Sequence, residues 1–222
     1  VNDGTSADRI AEQLRESILT GALAPGTQLS QERVAKEFGV SRIPARDALR
    51  MLAGEGLVTN SAGGSVLVTG MSIAELQELY EMRIAVEPIA TRVAVPNVGR
   101  AEVIRMRRLL EAMQTSDDPY VWLDSNAEFH AQIYRQANRP RMIQTVEQLR
   151  KLTDRYLYLH LEVIGQSAHL DQEHSDILEA VESGDSELTA ARTHQHLVTS
   201  HEFILNYLLE QSVDPAPGTS TR

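Results

Sequence analysis

The sequence predicts a mainly α chain in two parts: a small N-terminal unit of three short helices closed by a β-hairpin, then an antiparallel bundle of longer helices. Three observations lead there. Residues 41–53 place apolar side chains and arginines on adjoining sides of one helix, just before a β-prone stretch punctuated by glycine. Residues 72–210 keep helical periodicity between regular turn signals. The charge divides as well: residues 1–68 carry 7 Lys and Arg against 8 Asp and Glu, whereas residues 69–222 carry 14 against 23, together with all 7 histidines.

Taken in order, residues 8–20 set Ile10, Leu14 and Ile18 on one helical stripe with Asp8 as the expected N-cap. Gly21 and Pro25-Gly26 end it. Ser30 caps a second helix, Gln31 to Phe38, which Gly39 closes. Ser41 caps a third, and Pro44 falls in its first turn, where a missing N–H costs little. At about 100° per residue, Ala45, Ala48, Leu49 and Leu52 occupy one arc, and Arg42, Arg46 and Arg50 the adjoining one. "LVTN" and "SVLV", joined by "SAGG", read as a two-stranded wing. This order is that of a winged helix-turn-helix, in which the third helix enters the major groove of DNA.

Composition limits the partners. A net charge of −10 over 222 residues rules out a general polyanion binder, so contact with DNA needs a local cationic patch. Residues 33–50 supply one, with Arg33, Lys36, Arg42, Arg46 and Arg50 against only Glu37 and Asp47. Alone, such an arginine row would be an ordinary solvated helix face; the hairpin and helix order around it favour a DNA-reading surface. With 0 Cys there is neither disulfide nor thiolate metal site, so any metal takes nitrogen and oxygen ligands. No apolar run reaches the roughly 18 residues of a membrane span, and the polar start lacks the order of a signal peptide, which predicts a cytoplasmic protein with no membrane partner.

The stretch "LRESILTGALAPGTQLSQERVAKEFGVSRIPARDALRMLAGEGLV" resembles the DNA-binding domain of GntR-family bacterial transcriptional regulators. Val34 and Ala45 depart from the family's usual Leu and Val but keep the apolar role. The resemblance implies an operator-facing surface made of Arg33, Ser41, Arg42, Pro44 and Arg46, with Gly63 and Gly64 letting the wing tip approach the backbone.

Beyond Val68, helices are expected over about 72–95, 99–115, 119–138, 140–165, 167–183 and 185–210, the first kinked at Pro88. These spans suggest a DNA-binding domain over residues 1–70, an all-helical domain over 71–211 and a disordered tail over 212–222. His130 lies on an inward stripe with Asn126 one turn earlier, and His174 shares the stripe of Ile177, Leu178 and Val181. A lone inward histidine is ordinarily a hydrogen-bonded core residue; two on separate helices, with "THQHLVTSH" as a third region, weaken that reading considerably. Periodicity does not separate His196 from His194. His160, His169 and His201 read as ordinary polar or core residues.

"YEMRIAVEPIA", "NAEFHAQIY", "EHSDILEAVESGD" and "HQHL" resemble the blocks of the FCD ligand-binding domain found in the FadR class of GntR regulators. That resemblance implies a divalent metal on Asn126, His130, His174 and His196, zinc first, with nickel or manganese as alternatives. It also implies a small organic acid as effector, held by Arg83. The family's usual residue at the first position is Asp; here Asn126 offers a neutral oxygen, and Asp124 lies about 120° away round the helix. For Arg83, an ion pair with Glu87 at i+4 is an equal alternative. The function expected is that of a homodimeric regulator binding a two-fold symmetric operator, rather than an enzyme. A purely structural metal is the alternative, and a metal-dependent enzyme a distant third, since no H-E-x-x-H motif is present.

Overall fold

The computed structural model describes residues 5–61, 64–164 and 168–213. The chain divides into two compact units, Val1–Met71 and Ser72–Arg222. The first holds α1 (Ser6–Leu19), β1 (Gln28–Leu29), α2 (Gln31–Glu37), α3 (Arg42–Gly54), β2 (Val58–Asn60) and β3 (Val66–Val68). The expected cap of α1 is corrected. Thr5 is the N-cap and Asp8 is the third helical residue, its carboxylate accepting from the Thr5 N–H at 2.7 Å while the Thr5 hydroxyl accepts from the Asp8 N–H at 3.2 Å. This reciprocal pair satisfies two orphan donors of the first turn, which a cap at Asp8 would leave to water.

The wing strands pair antiparallel, Val58 opposite Val68 and Asn60 opposite Val66. A third strand, absent from the sequence expectation, adds to the other edge of β3 through Gln28 opposite Leu67 and Leu29 opposite Val66. The order is β1-β3-β2. Ile10, Leu14, Val34, Leu49, Leu52 and Val66 are among the side chains that close the core between the three helices and this sheet. Arg15 ties α1 to the end of α3 through Glu55, with Nη2 and Oε1 2.7 Å apart. Gly39, at φ +65°, makes the left-handed turn between α2 and α3 that glycine adopts without steric cost.

The elements of the second unit are all helices among its described residues: α4 (Ile73–Ala94), α5 (Arg100–Thr115), α6 (Pro119–Tyr134), α7 (Pro140–Ile164), α8 (Ala168–Ser183) and α9 (Ser186–Val213), with short 3-10 turns after α4 and α6. α4 is assigned as one helix through Pro88. It packs against α9 and α7, while α6 lies against α5 and α7, and α8 against α5 and α9. α9 extends to Val213, beyond the residue 210 expected, and the remainder of the expected tail lies outside the described residues. No described helix is long and apolar enough to cross a membrane.

Candidate DNA-reading surface and buried histidine site

In the first unit the core takes one side of α3, with Ala45, Ala48, Leu49 and Leu52 buried, so Arg42, Arg46 and Arg50 are left exposed. Arg33, on α2, is exposed as well. Their partners are weak ones. Arg42 meets Glu32 at 3.0 Å and Arg46 meets Asp47 at 3.3 Å, both among exposed side chains, and the Arg33 Nη1 reaches the Gln28 carbonyl at 3.5 Å. Exposed pairs of this kind contribute about 0–1 kcal/mol, so the guanidinium groups are readily given up to phosphate or guanine.

The two serine caps differ. Ser30 accepts a hydrogen bond from the Arg33 N–H at 3.1 Å, whereas the Ser41 side chain makes no capping bond to α3. Pro44, third in the helix, has no N–H to be capped, and the N–H groups of Arg42 and Ile43 are the first-turn donors left for an anion. Pro44 is half-buried in that turn. Gly64 is exposed at φ +77°, while Gly63 lies outside the described residues.

In the second unit α6, α8 and α9 bring His130, His174 and His196 together. One ring nitrogen from each lies within 4.8 Å of the others, and all three side chains are buried. Asn126, one turn before His130, places its Oδ1 2.9 Å from His174 Nε2. The Asp124 side chain is exposed and points elsewhere. His196 Nδ1 meets the Glu173 carboxylate at 2.9 Å, which orients the ring and frees Nε2 for the centre. Both ring nitrogens of His130 are buried without a hydrogen-bond partner. A buried unpaired imidazole is costly, and a divalent cation is the partner this donor set fits: imidazole nitrogens plus one amide oxygen suit zinc or nickel. Burial pushes the His130 pKa well below 6.5, reinforced by Arg150, His196 and His174, so the ring is held in the neutral form a metal needs.

Arg83 is buried and does two things. Its Nε donates to Glu87 at 2.5 Å and its Nη1 to Thr153 at 3.0 Å, so the i+4 ion pair is present. Its guanidinium also lies 4.9 Å from the centre of the Tyr80 ring, beside a cavity of ≈ 10 Å³, space for about one water. Asn126, Arg150, Thr153, His196 and Ser200 share that lining with Arg83. Glu87 is fully buried; burial alone would raise its pKa, but Arg83 and Arg150, with hydrogen bonds from Arg83 and Tyr134, hold it below the ordinary value.

Sequence reasoning did not single out Glu173, Arg150 or Thr153. Glu173 stands next to His174 yet serves His196, and no spacing rule joins residues 23 apart on different helices. His194 is exposed; His201 is half-buried and stacks on Tyr80 at 5.1 Å between ring centroids. The side chains of His160 and His169 lie outside the described residues.

Comparison with known proteins matches residues 6–68 to the bacterial regulatory proteins of the gntR family and residues 78–199 to the FCD domain. The gluconate operon transcriptional repressor of Bacillus licheniformis is 28% identical over 197 residues, covering 85% of this chain and 80% of its own. The HTH-type transcriptional repressor RspR of Escherichia coli is 27% identical over 204 residues, covering 90% of this chain and 89% of its own. The structure of E. coli McbR superposes with a TM-score of 0.72 at 23% identity, across 94% of this chain and 99% of that one, a likeness of fold. These relatives are regulators, not enzymes. With its winged helix-turn-helix joined to an FCD domain, the chain belongs to the GntR family of DNA-binding transcriptional regulators.

Proposed function

We propose that this regulator is a cytoplasmic homodimer whose affinity for a two-fold symmetric operator is set by a small carboxylate bound in the FCD domain beside a divalent metal. Residues 1–70 form the DNA reader, with Arg33, Ser41, Arg42, Pro44, Arg46, Gly63 and Gly64 at the operator, and residues 71–211 form the sensor. Asn126, His130, His174 and His196 would hold the ion, zinc by first preference and nickel or manganese otherwise. When bound, the ion supplies a fixed positive charge, since its ligands are neutral.

The observation that carries this reading is the convergence of Arg83, Arg150, Asn126 and His196 on one cavity. Two buried guanidinium groups share the fully buried carboxylate of Glu87, and the half-buried Asp154 also lines the cavity. The two guanidinium groups are suited to take one carboxylate oxygen each or together once the space opens. Only residues 69–72 separate β3 from α4, the helix carrying Arg83, so a displacement of α4 acts on the reader through a short connection. The carboxylate changes operator affinity only as far as it favours one state of the protein over another.

The test is a gel shift on operator DNA with zinc-loaded protein and a panel of metabolic carboxylates. Gluconate is included because a relative governs a gluconate operon. At least one acid is expected to change operator affinity about tenfold, within the usual range of allosteric coupling. Arg83→Ala is expected to blunt that response while leaving acid-free binding nearly unchanged. An Arg83→Ala protein that keeps the full response, or a folded one that loses DNA binding altogether, would remove Arg83 from the effector site.

A further inference from the structure

We infer that Ile43 reads the methyl group of a thymine in the major groove, and so fixes one base of each operator half-site. The inference rests on the DNA-reading role of the first unit. Ile43 is 62% exposed, the most exposed large hydrophobic side chain among the described residues. Isolated exposed apolar residues are common and need no explanation by themselves; the position of this one is what matters.

Ile43 is the second residue of α3, immediately after Arg42. At about 100° per residue it points away from the buried side formed by Ala45, Ala48, Leu49 and Leu52. Arg46 and Asp47 lie one turn further on at i+3 and i+4, paired with each other at 3.3 Å, so the outward face at this end of the helix is a guanidinium, a carboxylate and one branched hydrocarbon. The N-terminal residues of this helix are the ones that reach base edges in a winged helix-turn-helix. The uncapped Ser41 and the neighbouring N–H groups offer a phosphate contact that would set how deeply the turn enters the groove.

An isoleucine has no hydrogen-bonding atom beyond its backbone, so it cannot distinguish bases through donors and acceptors. The thymine C5 methyl is the one apolar projection in the major groove. Covering that methyl removes apolar surface from water on both sides of the contact. Opposite cytosine or a purine the same side chain would meet polar edges and cover them without a bond in return. Met51, 37% exposed, lies two turns along the helix, away from the reading end.

The experiment begins with selection of random duplexes against the full chain to obtain the preferred half-site. Each thymine is then replaced by deoxyuridine, which removes one methyl and leaves every hydrogen-bonding atom in place. At one position per half-site the replacement is expected to weaken binding about fourfold, from ~0.8 kcal/mol for burial of one methyl-sized group. Ile43→Ala is expected to bind the thymine and deoxyuridine duplexes equally; because the side chain is on the surface, its thermal midpoint should match the parent's. A preferred half-site lacking thymine, a parent insensitive at every thymine, or an Ile43→Ala protein that still prefers the methyl overturns this inference and leaves DNA reading standing. Selection that enriches no sequence at all removes the DNA-reading assignment and this inference with it.

Discussion

Position 126 carries a neutral amide where the FCD resemblance expects a carboxylate, and its oxygen sits 2.9 Å from His174 Nε2. A metal held by Asn126 and three imidazoles gains no charge neutralisation from its ligands. Asn126→Asp is therefore expected to tighten zinc by about tenfold or more, measured by chelator competition, while His174→Ala should lose the ion under elemental analysis. Unchanged metal content in His174→Ala would exclude this centre, and an unchanged affinity in Asn126→Asp would exclude position 126. The i, i+4 step from Asn126 to His130 was legible in the sequence, because one helical turn guarantees a shared face. The choice between His194 and His196 was not legible from periodicity. Residues two apart lie about 200° round a helix, so the packing of α9 admits one of them, and His196 is buried while His194 is exposed. Glu173 was illegible for a different reason: its partner is supplied by another helix, and only tertiary packing creates the pair.

Among the elements, α4 and α7 carry most of the buried charge of the bundle. Arg83, Glu87, Arg150 and Thr153 face one another, and near the start of α4 the Tyr156 hydroxyl donates to the Glu75 carboxylate at 2.8 Å, with Arg155 also bonded to Glu75. The pH dependence follows from the buried groups. His130 is held well below its ordinary 6.5, first by burial and then by Arg150 and its histidine neighbours, and burial lowers His201 as well. Below pH 6.5 the unfolded chain takes up protons that these folded histidines refuse, so stability falls as pH drops. Glu87 adds a second loss at lower pH: its folded value lies below 4.5, so the unfolded carboxylate protonates first. Metal-stripped protein is expected to show a thermal midpoint that declines from pH 7.5 to 5 and declines further below 4.5, followed by circular dichroism. A midpoint flat from pH 7.5 to 5 would contradict the neutral burial of His130. The helices of both units were legible from apolar spacing and turn residues. β1 was not, because two residues cannot display an alternating pattern, and its pairing with β3 depends on the turn at Gly26, whose N–H donates to the Val68 carbonyl at 2.9 Å.

For the whole molecule, the division of charge bears on selectivity. The acidic remainder of the chain, 14 Lys and Arg against 23 Asp and Glu over residues 69–222, opposes loose association with DNA. Binding then depends on the few cations of α2 and α3 being docked correctly. One winged unit offers few base contacts, and a dyad doubles them. In gel shifts, a palindromic site is expected to bind about tenfold or more tightly than a single half-site. Equal affinity for the two would mean that the chain reads DNA as a monomer. The fold class was legible at this scale because two periodicities and one change of charge lie in separate stretches of sequence. The homodimer expected from the sequence has no such mark on a single chain, because symmetry belongs to the assembly, and the gel shift is what tests it.

The narrowness of the cavity beside Arg83, ≈ 10 Å³, has a consequence for sensitivity. An organic acid bound there as proposed would enter only molecules whose walls have already parted, so part of its binding free energy would be spent on holding them open. If about one molecule in a hundred is open, the acid binds about a hundredfold more weakly than its contacts alone would dictate. The concentration at which such a regulator responds would then be set by the protein's own opening equilibrium as much as by the ligand. Substitutions far from the cavity that loosen the packing of α4 on α7 would lower that threshold without touching the acid.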